Sequence, residues 1–522
     1  MKPITEITDW ASGYVTEVVY TQGYYRELSP LAQRFALVAA GFVPPQGDSL
    51  RYCELGFGQG LSLNFHAATQ QNIECFGFDI NPAHVAIAQD FARDSQSRVV
   101  VSDDSFADLL KRDDLPRFDY ISLHGVWSWI NDENRGNVVE FIRRHLNVGG
   151  VVYVSYNSLP GWAHAIPLRR LLTEYASLAA APGNNVLENA AEAMAFAQRM
   201  AQLDAGFFHG ATALKARLES MAKQQKNYLV HEYFNRDWHP MYFSDVANLM
   251  AQAKLEFAAP VSPIELIDAL RIAPAGIALL AEVKQPMLRE TMRDFLVNQQ
   301  FRRDLFIRGA RRLSAKEQKS QLDEMSFVLH RNAEVLLQKP ADLSSRAVAP
   351  NLREALVKVL DAQQGRPMRL DEIARTAECA DVSWAALRQA LIILVGTGEF
   401  SVAHDEAHAS RAAPVCRRLN GVIVGKAGTP HASSYLCSPI TGGGVQVGEL
   451  QQMLLHQHWA QPELGRPQLA KNVWQQLSGM GQRVVTGGTP CDTPEDNLAA
   501  LGRIIEEFFR QDHPMLKKLG IA

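Results

Sequence analysis

Three glycines on alternate positions, an acid just ahead of them and acids at two later strand ends are the residues of this chain whose types and spacing could do chemistry. Arg51-Tyr52-Cys53-Glu54-Leu55-Gly56-Phe57-Gly58-Gln59-Gly60, followed by Leu61-Ser62-Leu63-Asn64-Phe65, reads as a strand, a Gly-rich turn and a helix. Such a turn lets backbone N–H groups approach a ligand that side chains would block. The pattern is E-x-G-x-G-x-G rather than the dinucleotide fingerprint G-x-G-x-x-G. Asp79 closes the next strand, Glu74 to Phe78, 25 residues after Glu54. An acid at that spacing on the second strand of a βαβ unit accepts hydrogen bonds from ribose hydroxyls. A third strand, Arg98 to Ser102, runs into Asp103, Asp104 and Ser105. An acid and a free N–H at that point suit an adenine edge, with Asp104 and Ser105 the expected contacts and Asp103 an alternative N-cap for a helix over Phe106–Leu110. The chemistry implied is the binding of a nucleoside-bearing ligand beyond the carboxyl ends of a parallel sheet.

The elements that must position these residues can be read around them. Ser29-Pro30 opens an apolar-periodic helix through Val38, ended by Gly41 and Pro44-Pro45. Strand four is Phe118–Leu123, leading into His124-Gly125-Val126-Trp127-Ser128-Trp129-Ile130. Strand five is Val151–Tyr156, introduced by a turn over Asn147–Gly150. From Ala163 to about Lys226 the chain is Ala-, Leu- and Met-rich helix, after which Tyr228–Phe234 reads as strand, Phe243–Gln252 as helix, and Leu255–Phe257 and Phe301–Arg308 as strands. On that reading His231 and Glu232 point to opposite faces and are weak site candidates. The helical block is expected to be an insertion, with the last two strands completing the sheet after it.

The domains that follow are 1–40, an aromatic arm; 41–162, the first part of the core; 163–227, the helical insertion; 228–310, core completion; 311–430, a middle domain; and 431–522, a C-terminal domain. In the arm, Tyr14, Tyr20, Tyr24 and Tyr25 form either a packed segment or a lid that closes over the ligand with Arg26 or Glu27. Pro367 to His404 reads as helix, turn, helix and strand, similar to a winged helix, but its second helix offers only Arg388 as a basic residue. That charge deficit favours a docking module over a nucleic-acid reader.

Composition bounds the rest. The chain has 522 residues, 47% of them hydrophobic, and a net charge of −4, which argues against nucleic-acid binding as its main business. Its six cysteines are dispersed without a C-x-x-C pair, so neither a metal site nor a disulfide framework is expected. No apolar run reaches the roughly 18 residues of a membrane span, and a cytoplasmic location is the expectation.

The motif Glu54-Leu55-Gly56-Phe57-Gly58-Gln59-Gly60 resembles motif I of the class I S-adenosylmethionine (SAM) methyltransferases. Together with Tyr24-Tyr25-Arg26-Glu27-Leu28, His124-Gly125-Val126-Trp127-Ser128-Trp129, Tyr156-Asn157-Ser158-Leu159-Pro160-Gly161-Trp162 and His231-Glu232-Tyr233, it makes the chain similar to the rickettsial-type outer-membrane-protein lysine methyltransferases. These carry a methyltransferase core followed by a methyltransferase regulatory domain. The resemblance implies an α/β fold: a class I, Rossmann-like core with a helical insertion and a winged-helix-like α+β C-terminal region. It also implies SAM as cofactor, protein lysines as acceptor (a surface or outer-membrane protein among the candidates) and a homodimer. Tyr24 would cover the cofactor, Glu54 would pair with its ammonium, Gly56, Gly58 and Gly60 would admit backbone beside it, Asp79 would hold the ribose, and Asp104 with Ser105 would meet the adenine. A lysine acceptor must lose a proton before attacking; His124 is the candidate base, or else a structural histidine, and Trp127 and Trp129 would form a slot for the lysine stem. A small-molecule, sugar or lipid acceptor, or a non-catalytic SAM-binding regulator, are the alternatives.

Overall fold

In the computed structural model, residues 23–179, 183–429 and 432–522 are described. Tyr14 and Tyr20 of the aromatic arm lie outside them. Helix α1 (Pro30–Ala39) leads to β1 (Leu50–Leu55), α2 (Leu61–Thr69), β2 (Ile73–Phe78), α3 (Pro82–Ser95), β3 (Val99–Ser102), α4 (Phe106–Leu109), β4 (Phe118–Leu123), α5 (Asp132–His145) and β5 (Leu146–Asn157). Four helices follow, α6 (Ile166–Leu178), α7 (Val186–Gln202), α8 (Thr212–Met221) and α9 (Lys226–Tyr233). The chain then returns through α10 (Phe243–Gln252), β6 (Leu255–Pro260), α11 (Pro274–Glu282), α12 (Pro286–Val297) and β7 (Phe301–Arg308).

The seven strands lie in the order β3-β2-β1-β4-β5-β7-β6. β1 to β5 are parallel, and β7 runs antiparallel to both β5 and β6, with Val151 opposite Ile307 and Asn157 opposite Phe301. A strand buried on both faces reads as a continuous apolar run, as β4 and β5 do. One face packs Tyr52, Leu63, Cys75, Tyr120 and Tyr153 beneath α1 and α2; the other packs Phe78, Leu123 and Val154 against Val138, Phe141 and Ile142 of α5 and Val246 and Met250 of α10. The expected insertion and late completion of the sheet are therefore present.

Two local expectations fail. Asn147–Gly150 is part of β5 rather than a turn before it, with a register shift against β4 taking up the extra residues. Tyr228–Phe234 lies mostly within α9 rather than in a strand. Its β-branched and aromatic content suits a strand, but Leu229 and Tyr233, four residues apart, both enter the insertion's own core with Leu168, Leu172, Met194 and Trp238, and that packing overrides propensity.

Beyond residue 311 a three-stranded antiparallel sheet, β10 (Phe400–Ala403), β8 (Ser326–Leu329) and β9 (Met368–Arg369), is followed by a long helix, Glu406–Gly425, and a hairpin of β11 (Tyr435–Ser438) and β12 (Gly443–Gln446). This region shares one apolar core with the sheet domain: Tyr24, Phe35, Leu61 and Phe65 join Leu391, Leu419, Leu436 and Val445. Arg388 turns inward, its guanidinium donating to the Ala39 carbonyl at the end of α1. Among the described residues no helix is long and apolar enough to cross a membrane.

Candidate functional site

A cavity of about 640 Å3 opens at the carboxyl ends of β1, β2, β4 and β5. Its first half is the turn after β1. Gly56, Gly58 and Gly60 all have left-handed backbone, φ +73°, +59° and +74°. Their N–H groups are already taken: Gly56 donates to Phe78 O at 2.7 Å, Gly58 to Asp79 Oδ2 at 2.8 Å and Gly60 to Phe57 O at 3.1 Å. The expectation that these N–H groups await a ligand is thus corrected; the glycines matter for conformation and for missing side chains. A Cβ on Gly56 would lie 2.5 Å from Val126 Cγ2, and one on Gly60 2.6 Å from Ala88 Cβ. A Cβ on Gly58 would meet no atom within 4 Å among the described residues other than its chain neighbours, and Gly58 lines the cavity.

Asp79 holds this turn. Besides Gly58, it accepts from the Asn81 N–H at 3.0 Å and meets His84 Nδ1 at 3.0 Å through Oδ1. Asn81 caps α3 and Pro82 starts it, which sets His84 one turn in, facing back to the strand end. In the tautomer whose Nδ1–H donates to Asp79, His84 Nε2 presents a lone pair, and that buried atom has no partner among the described residues. Sequence reasoning missed His84; an acid followed by Asn-Pro and then a histidine within one helical turn was the available signal.

Glu54 lies on the cavity wall, 3% exposed, and accepts from Tyr52 Oη at 3.0 Å. Burial, reinforced by Asp79, pushes its carboxyl up to about 8. Asp104 also lines the cavity; Ser102 Oγ at 2.6 Å and Arg112 Nη1 at 2.8 Å both bond its Oδ2. Ser105 caps α4, its hydroxyl accepting from the Asp108 N–H and donating to that carboxylate, so the cap is Ser105 and not Asp103.

The second half of the cavity is aromatic. His124 stacks on Tyr25, ring centroids 3.9 Å apart, and its Nδ1 is bonded to Tyr153 Oη at 2.8 Å. Burial pulls its imidazole down to about 4. Trp129, Trp162 and Phe301 also line this lobe, with Trp238 behind both tryptophans. Asn157, at the end of β5, also lines the cavity, and its amide nitrogen has no partner among the described residues. His231, Glu232 and Asn235, from α9 and the turn after it, complete the wall.

Three expected placements are corrected here. Tyr24 is not in the cavity: it packs on Phe65 and Tyr435 and against Gly443 and Gly444, where any Cβ would overlap its ring or hydroxyl. The backbone at Tyr25 is extended, so consecutive side chains point to opposite sides and Tyr25 takes the cavity position. Trp127 is fully buried in the sheet core, while Trp129 reaches the cavity. The two sit in one 3-10 turn, in which residues two apart project about 120° from each other. His231 and Glu232 share the cavity, because on a helix neighbours one and four apart lie on adjoining faces.

Residues 53–152 match a family described as a methyltransferase domain, and residues 225–308 one described as a predicted methyltransferase regulatory domain. An uncharacterised protein of Synechocystis is 34% identical over 521 residues, covering 98% of this chain and 100% of that one. An uncharacterised protein of Rickettsia prowazekii is 23% identical over 326 residues, 62% of this chain and 57% of that one. PKMT2 from Rickettsia typhi has the same fold, with a TM-score of 0.67 at 17% identity, covering 95% of this chain and 99% of that one. Its structure in complex with AdoHcy superposes with a TM-score of 0.66, again at 17% identity, over 94% and 98% of the two chains.

Proposed function

Since the chain belongs to the class I SAM-dependent methyltransferases that carry a methyltransferase regulatory domain, we propose that it transfers methyl groups from SAM to lysine side chains of a protein. SAM supplies a methyl group on a sulfonium, and with it the leaving group. The residues present suit that cofactor. Glu54 is a buried carboxyl with no cationic partner among the described residues, fit for an ammonium. Asp79 and the bare Nε2 of His84 fit ribose hydroxyls. Asp104 and the backbone at Ser105 fit the adenine edge. Gly58 leaves room for the cofactor where a side chain would stand.

The protein's share of the reaction is to place the acceptor nitrogen in line with the methyl group and keep water out. Tyr25, Trp129, Trp162 and Phe301 give this part of the cavity aromatic walls, a slot through which an acceptor side chain would reach that position. This slot is the observation that carries the lysine reading, since an alkyl stem with a cationic head is held well by aromatic faces. His124, locked by Tyr25 and Tyr153, serves as a fixed wall of the slot.

The test is incubation of the protein with methyl-labelled SAM and, separately, protein and metabolite fractions from the source cell. Label is expected in protein, recovered as methyl-lysine after acid hydrolysis. Label confined to small molecules would overturn the lysine reading in favour of a small acceptor.

The protonation of Glu54 predicts a pH dependence. Its folded-state value lies above that of an unfolded glutamate, so the stability it contributes is complete below about pH 4.5 and lost as pH rises through about 8. An ammonium beside it favours the carboxylate and removes that loss. Between pH 5.5 and 7.5, where an α-amino group stays charged, SAM affinity should rise with pH by up to about tenfold per unit. Titration calorimetry in buffers of different ionisation enthalpy should register proton release on binding, and Glu54→Gln should abolish it. A pH-independent affinity without proton release would leave Glu54 as a structural partner of Tyr52 alone.

A further inference from the structure

Five residues lining the cavity, His231, Glu232, Asn235, Gln300 and Phe301, come from the segment that matches the regulatory-domain family. They come from α9, the turn after it, and the start of β7 with the residue before it, and they line the same cavity as the glycine turn that begins the methyltransferase match. One of them stands out chemically. Glu54, Asp79 and Asp104 are each bonded to a donor within the protein. Glu232, partly buried on the same cavity, makes no hydrogen bond or ion pair among the described residues. A carboxylate withdrawn from water without a partner is costly, and such a group in a cleft marks a place where a ligand supplies the partner.

We propose that Glu232 receives the ammonium of the acceptor lysine and takes its proton, so that the segment described as regulatory is the acceptor half of the active site. This rests on the lysine reading above. The Nζ–H bond breaks and the proton passes to a Glu232 carboxylate oxygen. The freed lone pair forms the Nζ–C bond while the methyl carbon's bond to sulfur breaks, its electron pair remaining on sulfur as a neutral thioether. The methylated ammonium then carries the positive charge and leaves, or sheds a proton before a further round. Charge and atoms balance without another reactant.

Other titratable groups near Glu232 include His231 and Tyr233 on the same helix, Glu133 of α5 on the same cavity, Tyr25 and His124 on the wall formed by the arm and strand four, and Arg217, whose guanidinium lies 4.1 Å from the Trp162 ring centroid. None of them shifts Glu232 appreciably; burial alone raises its carboxyl to about 7, so it is poised between acid and base at neutral pH. His124, pulled down to about 4 and bonded to Tyr153, is the weaker base of the two.

The experiment compares native protein with Glu232→Gln and uses n-butylamine, the lysine side chain without its backbone, as the binding probe. With AdoHcy present, binding is read from the fluorescence of Trp129 and Trp162. Glu232→Gln is expected to weaken butylammonium binding by about tenfold or more, to leave n-butanol binding and SAM affinity unchanged, and to slow methylation of the labelled protein fraction. The rate of the variant should climb about tenfold per pH unit between 7 and 9, as bulk deprotonation of lysine replaces the lost base, while that of native protein levels off above 7. Equal butylammonium affinity and equal pH profiles would overturn the assignment of Glu232 while label in protein lysine preserves the lysine reading. Label from native protein appearing only in small molecules would overturn both.

Discussion

Asp79→Ala is expected to lower SAM affinity by at least about 100-fold and to reduce the unfolding temperature of the sheet domain. The carboxylate bonds the Gly58 N–H, the Asn81 N–H and His84 Nδ1, so its removal leaves three donors beside the cavity without their acceptor. Each orphaned buried donor costs about 1–3 kcal/mol. The glycine turn, the start of α3 and the orientation of His84 all depend on that one side chain. In the proposed ribose role, loss of two hydrogen bonds would add about 3 kcal/mol to the binding deficit, which is about 100-fold in affinity. Asp79→Asn keeps one acceptor oxygen and should lie between the two. Calorimetric titration with SAM and scanning calorimetry of the free protein check both halves; native affinity in Asp79→Ala would remove Asp79 from the binding site.

Gly58→Val is expected to produce the same loss of binding by the opposite route, with the fold nearly intact. Among the described residues no atom beyond its chain neighbours lies within 4 Å of the position a Cβ would take, so the Cβ itself meets nothing in the free protein. It enters the cavity instead. The left-handed backbone there costs an L-residue about 1–2 kcal/mol, which loosens the turn locally. The control is Gly60→Ala, whose Cβ meets Ala88 between α2 and α3 and should destabilise the domain. A SAM affinity for Gly58→Val within threefold of native would mean that the cofactor lies elsewhere in the cavity.

The parts legible in the sequence are those specified locally. The strand, glycine turn and helix at residues 50–69 announce themselves through glycine spacing, and Asp79 through its distance from Glu54. Strand four lies where its apolar run places it. What could not be read depends on packing between distant segments. Nothing in Tyr24-Tyr25 says which phenol faces the cavity, because the answer is a glycine pair more than 400 residues away. Trp127 and Trp129 look equivalent until the 3-10 turn assigns one to the core. Glu232 was obscured by a strand-like composition that tertiary contacts turn into helix. Glycine spacing does not specify that Phe78, Asp79 and Phe57 already accept from the N–H groups of the turn, since those bonds depend on where β2 and Asp79 lie in the folded sheet.

The seat of Tyr24 on Gly443 and Gly444 bears on how this chain could be cut or recombined. A fragment ending at residue 310 would retain every side chain that lines the cavity. It would also lay Tyr24, Phe35, Leu61 and Phe65 open to water and release the backbone that presses Tyr25 onto His124. The catalytic sheet is therefore not a portable cassette. Transplanting it onto another C-terminal partner would require carrying the Gly443-Gly444 hairpin along, and any random insertion that splits the two halves should silence the protein without touching a residue of its active site.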